Sequence, residues 1–250
     1  ILLNLENKNF NSLNIDSGNK RASDNEYKTR IRDVNASSPA RFNADSRRLY
    51  GASGCAGKII VFAVRLDTYP KPKKTQVFYL GSNDPASFNL IRKEILSNFK
   101  NLPISGEYVH RDCYDAAKKY SKDTFLVIER LGPNFIPKLF ELKRSIDLIA
   151  DKFWFLPQKF SDRLMQFLSI FWPNHLPKRM ENFRKKYEHY WIIEMSDEGI
   201  DEARTYFQQL FSTIDGNFFE CNSKEAKKAL LHRFVSASAI GRYHNLYRNK

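Results

Sequence analysis

Two short stretches carry most of the side chains that could do chemistry. GEYVHRD at 106–112 packs His110, Arg111 and Asp112 at the end of an alternating, strand-like run. LHRF at 231–234 places His232 beside Arg233 within a helical pattern. Arginine offers a planar fork that grips carboxylates and phosphates with two parallel hydrogen bonds. Histidine titrates near neutral pH and can take or give a proton there. Together they suit an anionic small substrate, although a lone histidine is more often a satisfied core residue. His175, His189 and His244 have no sequence neighbours that lift them above that bland reading. A third stretch, Gly54-Cys55-Ala56-Gly57-Lys58, precedes the β-branched run at 59–64. Paired glycines without Cβ atoms let a backbone approach a cofactor closely, though most such turns are only turns.

The elements that must hold these residues follow from periodicity. Residues 4–48 are polar and aperiodic and read as loop or covering segment, and the glycine turn leads into a buried strand at 59–66. Pro70, Pro72 and the lysines at 71, 73 and 74 read as a linker, with a domain edge at Asp67. Residues 76–81 alternate as a strand. Asp84-Pro85 opens a helix striped by Phe88, Ile91, Ile95 and Phe99, and 104–109 is a second strand. The plan recurs later: a strand at 190–195, a helix striped by Ile200, Ala203, Phe207 and Leu210, the Asp215-Gly216 turn, and a strand at 217–221. Two β-α-β units far apart in sequence predict an α+β fold built on a split β-α-β sheet.

Between the units the composition changes. Phe135, Phe140, Phe153, Trp154, Phe155, Phe160, Phe167, Phe171 and Trp172 are interleaved with Lys138, Lys143, Arg144, Lys152, Lys159 and Arg163. The pattern continues through Phe183, Tyr187, Tyr190 and Trp191. Prolines at 133, 137, 157, 173 and 177 predict short helices, with Ser161 as an N-cap. A last helix from about 223 to 247 reads as basic on one side through Lys227, Lys228, Arg233, Arg242 and Arg248. Rings that enter a headgroup layer, beside bases that face anionic lipid, fit a membrane interface. The same residues also fit an ordinary helical subdomain with a solvated basic face. Stacking on single-stranded nucleic acid is a third reading, but no nucleic-acid-binding signature accompanies it.

Composition bounds these readings. The 250 residues are 42% hydrophobic and 28% charged, enough to bury a core, and the net charge of +13 attracts polyanions without choosing among them. Twenty Phe stand beside 12 Tyr and 3 Trp. Three widely spaced cysteines, Cys55, Cys113 and Cys221, argue against a disulfide framework, and no metal-ligand spacing is visible. No apolar run approaches the roughly 20 residues that span a bilayer. The opening Ile-Leu-Leu-Asn has neither Met nor a charged leader, which reads as an excerpt of a longer polypeptide.

SSPARFNAD at 37–45, SGCAGKIIVFAVRLDT at 53–68, GEYVHRD, KDTFL at 122–126 and LHRF together resemble the bacterial quinone-dependent, FAD-containing D-lactate dehydrogenases. The similarity runs from about residue 30 to residue 243. The resemblance implies a p-cresol methylhydroxylase-type FAD-binding domain, a cap domain and a discontinuous membrane-binding domain. On that basis 1–67 is the closing part of the FAD domain. Residues 68–109 and 187–224 are the cap, and 110–186 with 225–250 the membrane-binding region. Val61, Gly54, Cys55 and Gly57 are the expected FAD contacts. The implied reaction oxidises D-lactate to pyruvate and passes electrons to membrane quinone, in a peripheral enzyme on the cytoplasmic face of the bacterial inner membrane. Alpha-hydroxy-acid oxidation needs a cation for the carboxylate and a base for the hydroxyl proton. Arg233 is the candidate for the first, His232 or His110 for the second, and Arg111 is a reserve cation. The family's glycine-rich flavin-binding stretches have no counterpart here, so this chain alone is expected to bind FAD weakly or not at all.

Overall fold

The computed structural model describes residues 27–36 and 70–247. The glycine turn, the strand expected at 59–66, and Val61, Gly54, Cys55 and Gly57 lie outside the described residues. The chain divides into two compact units, one of residues 1–73 with Asn89–Leu102, the other of Lys74–Phe88 with Pro103–Lys250.

In the first unit a short helix, α1 (Tyr27–Arg30), is followed by turns that present Arg32. Its guanidinium donates to the carbonyls of Leu96, Phe99 and Lys100 at 3.3, 2.7 and 3.2 Å. These carbonyls close α2 (Pro85–Asn98), whose last turn has no basic residue of its own. A cation supplied from elsewhere therefore satisfies the orphan acceptors at the negative end of the helix. At the other end Asp84 behaves as the sequence predicts, its carboxylate accepting from the Ala86 N–H at 2.9 Å. Ile91, Ile95 and Phe99 are buried, as their spacing predicts.

The second unit is built on a four-stranded sheet of β1 (Thr75–Ser82), β2 (Ser105–His110), β3 (His189–Ser196) and β4 (Asn217–Glu220). The order is β2-β3-β1-β4 and every neighbouring pair is antiparallel. β1 and β2 both oppose β3 and so run parallel with β3 between them, which is the split arrangement predicted from the repeated plan. Burial on both faces explains the unbroken apolar run Val77–Leu80 in β1. Val77 and Tyr79 join Val109, Tyr190, Ile192 and Phe219 in the main core. On the opposite face Phe78 meets Phe207 of α8 (Gly199–Leu210) edge-on, with ring centroids 5.4 Å apart.

The main core is completed by four helices, of which the last is the one predicted from about 223 to 247. α3 (Arg111–Tyr120) contributes Tyr114 and α4 (Lys122–Leu131) contributes Phe125. α7 (Lys178–Lys186) adds Met180, and α9 (Ser223–Tyr247) adds Ala229 and Val235. Gly81 in β1 is required by this packing: a Cβ there would lie 2.5 Å from Cδ2 of Tyr187. Cys113 and Cys221 are free thiols, and burial pushes the Cys221 thiol up to about 12.

Two sequence expectations need correction here. Arg242 does not face solvent on a basic side of α9. It is buried against Asp123 of α4, 119 positions away, and Arg233 of the same helix is paired with Glu107. Lys228 is likewise paired, with Glu129 at 2.8 Å. Ser161 is not an N-cap either. It lies inside α6 (Phe160–Leu168), and its N–H and Oγ donate to the Asp147 carboxylate at 2.8 and 2.9 Å.

Candidate functional site

The region between the two strand pairs turns an ordinary helical packing rule around. α5 (Ile136–Ala150) buries Leu139 and Ala150, but it meets α6, and α6 meets α9, through charge and hydrogen bonds as well. Asp162 at the start of α6 accepts from Lys143 of α5, from Asn245 of α9 at 2.7 Å, and lies 3.4 Å from Arg242 Nε. Burial pushes the Asp162 carboxyl up, but the hydrogen bonds from Lys143 and Asn245, with the charges of Lys143 and Arg242, outweigh it and hold the acid low. Asp147 of α5 caps α6 through Ser161. Lys122 donates to the carbonyls of Ser169, at 3.0 Å, and Trp172. Buried ion pairs need such added hydrogen bonds, because desolvation otherwise cancels their attraction.

With polar groups turned inward, the apolar ones are left outside. The buried residues of α6 are Ser161 and Asp162, while Phe167 and Leu168 are exposed. In the short 3₁₀ turn that follows (Ser169–Phe171), Ser169 is buried while Ile170 and Phe171 are 72% and 73% exposed. In the turn after α5, Phe153, Trp154 and Phe155 project outward, Trp154 at 96%. Phe140, Leu142, Leu148 and Ile149 of α5 add to the exposed set. Isolated surface apolar residues need no explanation, but a concentration of this kind marks an interaction surface. Lys138, Arg144, Lys152, Lys159 and Arg163 are exposed among these rings, and the Lys138 ammonium lies 4.9 Å from the Phe135 centroid.

The aromatic run singled out in the sequence thus divides in two. Rings from Phe135 to Phe171 are largely on the surface, whereas Tyr187 and Tyr190 are core residues and Phe183 packs against that core. Spacing alone does not separate them. The signal that does is the strand alternation beginning at 189, which assigns Tyr190 to a buried face.

Of the candidate catalytic residues, His110 and Arg111 lie at the β2–α3 junction, while Arg233 bonds to Glu107, whose side chain by strand alternation points to the opposite face of β2 from His110. His110 ends β2 and caps α3, its Nδ1 accepting from the Asp112 N–H at 3.1 Å. Arg111 is half-exposed and bonded to Glu188 at 2.5 Å. Arg233 reaches β2 from α9 through Glu107. His232 lies apart, in the core: it is 3% exposed, its Nε2 is 3.1 Å from the Tyr114 carbonyl, and burial holds its pKa down near 4. A ring sealed in that way has no approach for a substrate. Sequence reasoning missed His189 as a partner of His110, and Tyr108 as a partner of His189. His189 stands opposite His110 in the β2–β3 register, with ring centroids 5.1 Å apart. Tyr108, two positions earlier on the same face of β2, is hydrogen-bonded through its hydroxyl to His189 Nδ1 at 2.7 Å. His189 therefore has the company that its sequence neighbours do not supply. His175 is buried beside Phe125, and His244 is exposed next to Tyr243.

A family model described as D-lactate dehydrogenase, membrane binding, matches residues 77–250. The chain belongs to this family. The match covers the sheet, the charge-anchored helices and the outward rings alike. Among curated relatives, the quinone-dependent D-lactate dehydrogenase of Haemophilus influenzae is 50% identical over 248 residues, 99% of this chain and 44% of the relative. That of Escherichia coli is 46% identical over 243 residues, 97% of this chain and 43% of the relative. That of Corynebacterium glutamicum is 37% identical over 229 residues, 91% and 40% respectively. The chain thus spans less than half the length of these relatives. Among the described residues no helix is long and apolar enough to cross a membrane.

Proposed function

We propose that this chain is the cap and membrane-docking part of a quinone-dependent, FAD-containing D-lactate dehydrogenase held on the cytoplasmic face of the bacterial inner membrane. The observation that carries the docking half is the reversal in α6 and the 3₁₀ turn after it, polar residues inward and Phe167, Leu168, Ile170 and Phe171 outward. An amphipathic segment of this kind lies in the bilayer plane, rings at the headgroup boundary and bases toward anionic lipid. Residues 110–186 and 225–250 form the docking part in this reading, 68–109 and 187–224 the cap, and 1–67 the end of the FAD domain. Coverage of less than half of each relative supports the view that further segments of the natural polypeptide complete the enzyme.

A bound flavin would supply the hydride acceptor for D-lactate oxidation and the electron donor for quinone. Its assigned contacts lie outside the described residues, so no step here rests on them. The residues in view would serve the substrate. His110, one-third exposed at a strand end and flanked by His189 and Tyr108, holds the hydroxyl proton. Arg111, next to His110, offers the carboxylate a cation by exchanging Glu188 for the substrate, whereas Arg233, bonded to Glu107 on the opposite face of β2, is left out of that role. Core burial leaves His232 out of the role of base.

Vesicle sedimentation tests the docking half. The chain is expected to pellet with phosphatidylcholine vesicles containing 30% phosphatidylglycerol and to detach as salt rises, since exposed charges are screened beyond about 10 Å at 0.1 M. Replacing both Trp154 and Phe171 by Ala should weaken pelleting at least tenfold with no loss of thermal stability. Unchanged pelleting of that variant, or indifference to phosphatidylglycerol, would contradict the reading. For the catalytic half, His110→Gln in the natural polypeptide should lower kcat for D-lactate with little change in KM.

A further inference from the structure

Where α6 passes the α3–α4 corner, the molecule opens a solvent-filled cleft of about 550 Å³. Its wall brings together Lys118, Lys119, Lys122 and Arg163, and none of the residues that line it is acidic. Lys118 has a partner outside the cleft, Glu181 at 2.7 Å. Lys122 is held by two backbone carbonyls, and desolvation together with the charge of Lys118 pulls its ammonium below the usual lysine range. Lys119 lies 5.1 Å from the Tyr120 centroid and is hydrogen-bonded to that side chain, and among the described residues the Arg163 guanidinium donates only to the Leu246 carbonyl, at 3.4 Å. Both are exposed, and neither is paired with a carboxylate of the described residues. With the Lys118 charge met by Glu181, the charges of Lys119, Lys122 and Arg163 remain around one opening and repel one another. An anion seated among them turns that repulsion into attraction, and a phosphate offers the oxygens that a guanidinium fork and lysine ammonium groups bind.

The other wall is apolar. Phe167 and Ile170 line it, and both belong to the outward band of α6 and its 3₁₀ turn. The cleft is therefore amphipathic, cationic at one end and hydrocarbon-like at the end that continues into the band. We propose that it is a headgroup site for a single anionic glycerophospholipid. The phosphate sits between Arg163 and Lys119, and an acyl chain lies along Phe167 and Ile170. This inference rests on the membrane-facing reading of α6 given above, and adds a discrete, saturable site to what would otherwise be a diffuse basic surface.

The test is calorimetric titration of the 250-residue chain with dihexanoyl-phosphatidylglycerol below its micelle concentration, which does not depend on vesicle attachment. One molecule should bind per chain. Lys119→Gln with Arg163→Gln should weaken binding at least tenfold. Lys138→Gln with Arg144→Gln, which removes the same charge from the exposed face of α5, should change it less than twofold. Equal loss in the two pairs, or no saturable binding, overturns the proposal. Inorganic phosphate at constant ionic strength should compete poorly. Equally strong competition would make this a free-phosphate site and overturn the lipid assignment. If the wild type still pellets with phosphatidylglycerol vesicles while the titration fails, the docking reading stands and only the discrete site falls. If pelleting fails while the titration succeeds, the reverse holds.

Discussion

At Arg242 the chain buries a guanidinium with its carboxylate partner, and that pairing shows what single residues reveal in the sequence and what they conceal. A base on a helical face reads as solvated by default, and nothing near residue 242 announces Asp123. The same blindness applies to His175 and His232, whose ring centroids lie 6.1 Å apart in the core. Burial holds their pKa values down near 3 and near 4, and the charges of His232, Lys122, Lys228 and Lys118 depress His175 further. Both folded values lie below the ordinary histidine value of about 6.5, so the unfolded chain takes up protons first as pH falls. Stability is therefore expected to decline from about pH 6.5 toward pH 4 and to stop falling, for these groups, below their folded values. Both ring nitrogens of His175 are buried without a hydrogen-bond partner. Replacing this ring by an apolar side chain removes two unmet polar groups along with a proton site. His175→Leu should stay within about 1 kcal/mol of wild type at pH 7 and lose less stability between pH 7 and pH 4 in urea unfolding. An acid loss as steep as that of wild type would contradict this.

At the scale of elements, local pattern carried the strands well. Alternation placed β1, β3 and β4 within a residue or two, and the Asp84 cap with its apolar stripe placed α2. Those signals are local, which is why they can be read. α3 and α4 went unread because much of the packing that fixes them is tertiary: Tyr114 and Phe125 are buried by residues far along the chain. The start of α6 was misplaced for a related reason. Its first turn is capped in trans by Asp147, while Lys159 before it takes a left-handed backbone with φ of 54°. Asp147→Ala should therefore cost about 1 kcal/mol, as the loss of a cap does. Hydrogen exchange should show faster opening confined to the first turn of α6. Unaltered exchange in that turn would mean that the cap is not what holds it.

For the whole molecule, a sheet buried on both faces carries a helical extension held by ion pairs at its seams and apolar at its surface. Sequence composition announced that extension without saying which rings face out. The partition at Phe171 emerges only when the Asp162 network turns the polar side of α6 inward. The central claim is that the outward rings enter lipid, and Trp154 reports on it directly. In a chain carrying Trp172→Phe and Trp191→Phe, Trp154 is the sole tryptophan. Its emission should shift to the blue on adding phosphatidylglycerol-containing vesicles and should be quenched by lipids brominated on the upper acyl chain. Emission that stays red and unquenched while the protein is vesicle-bound would show that the rings remain in water, and would contradict the account.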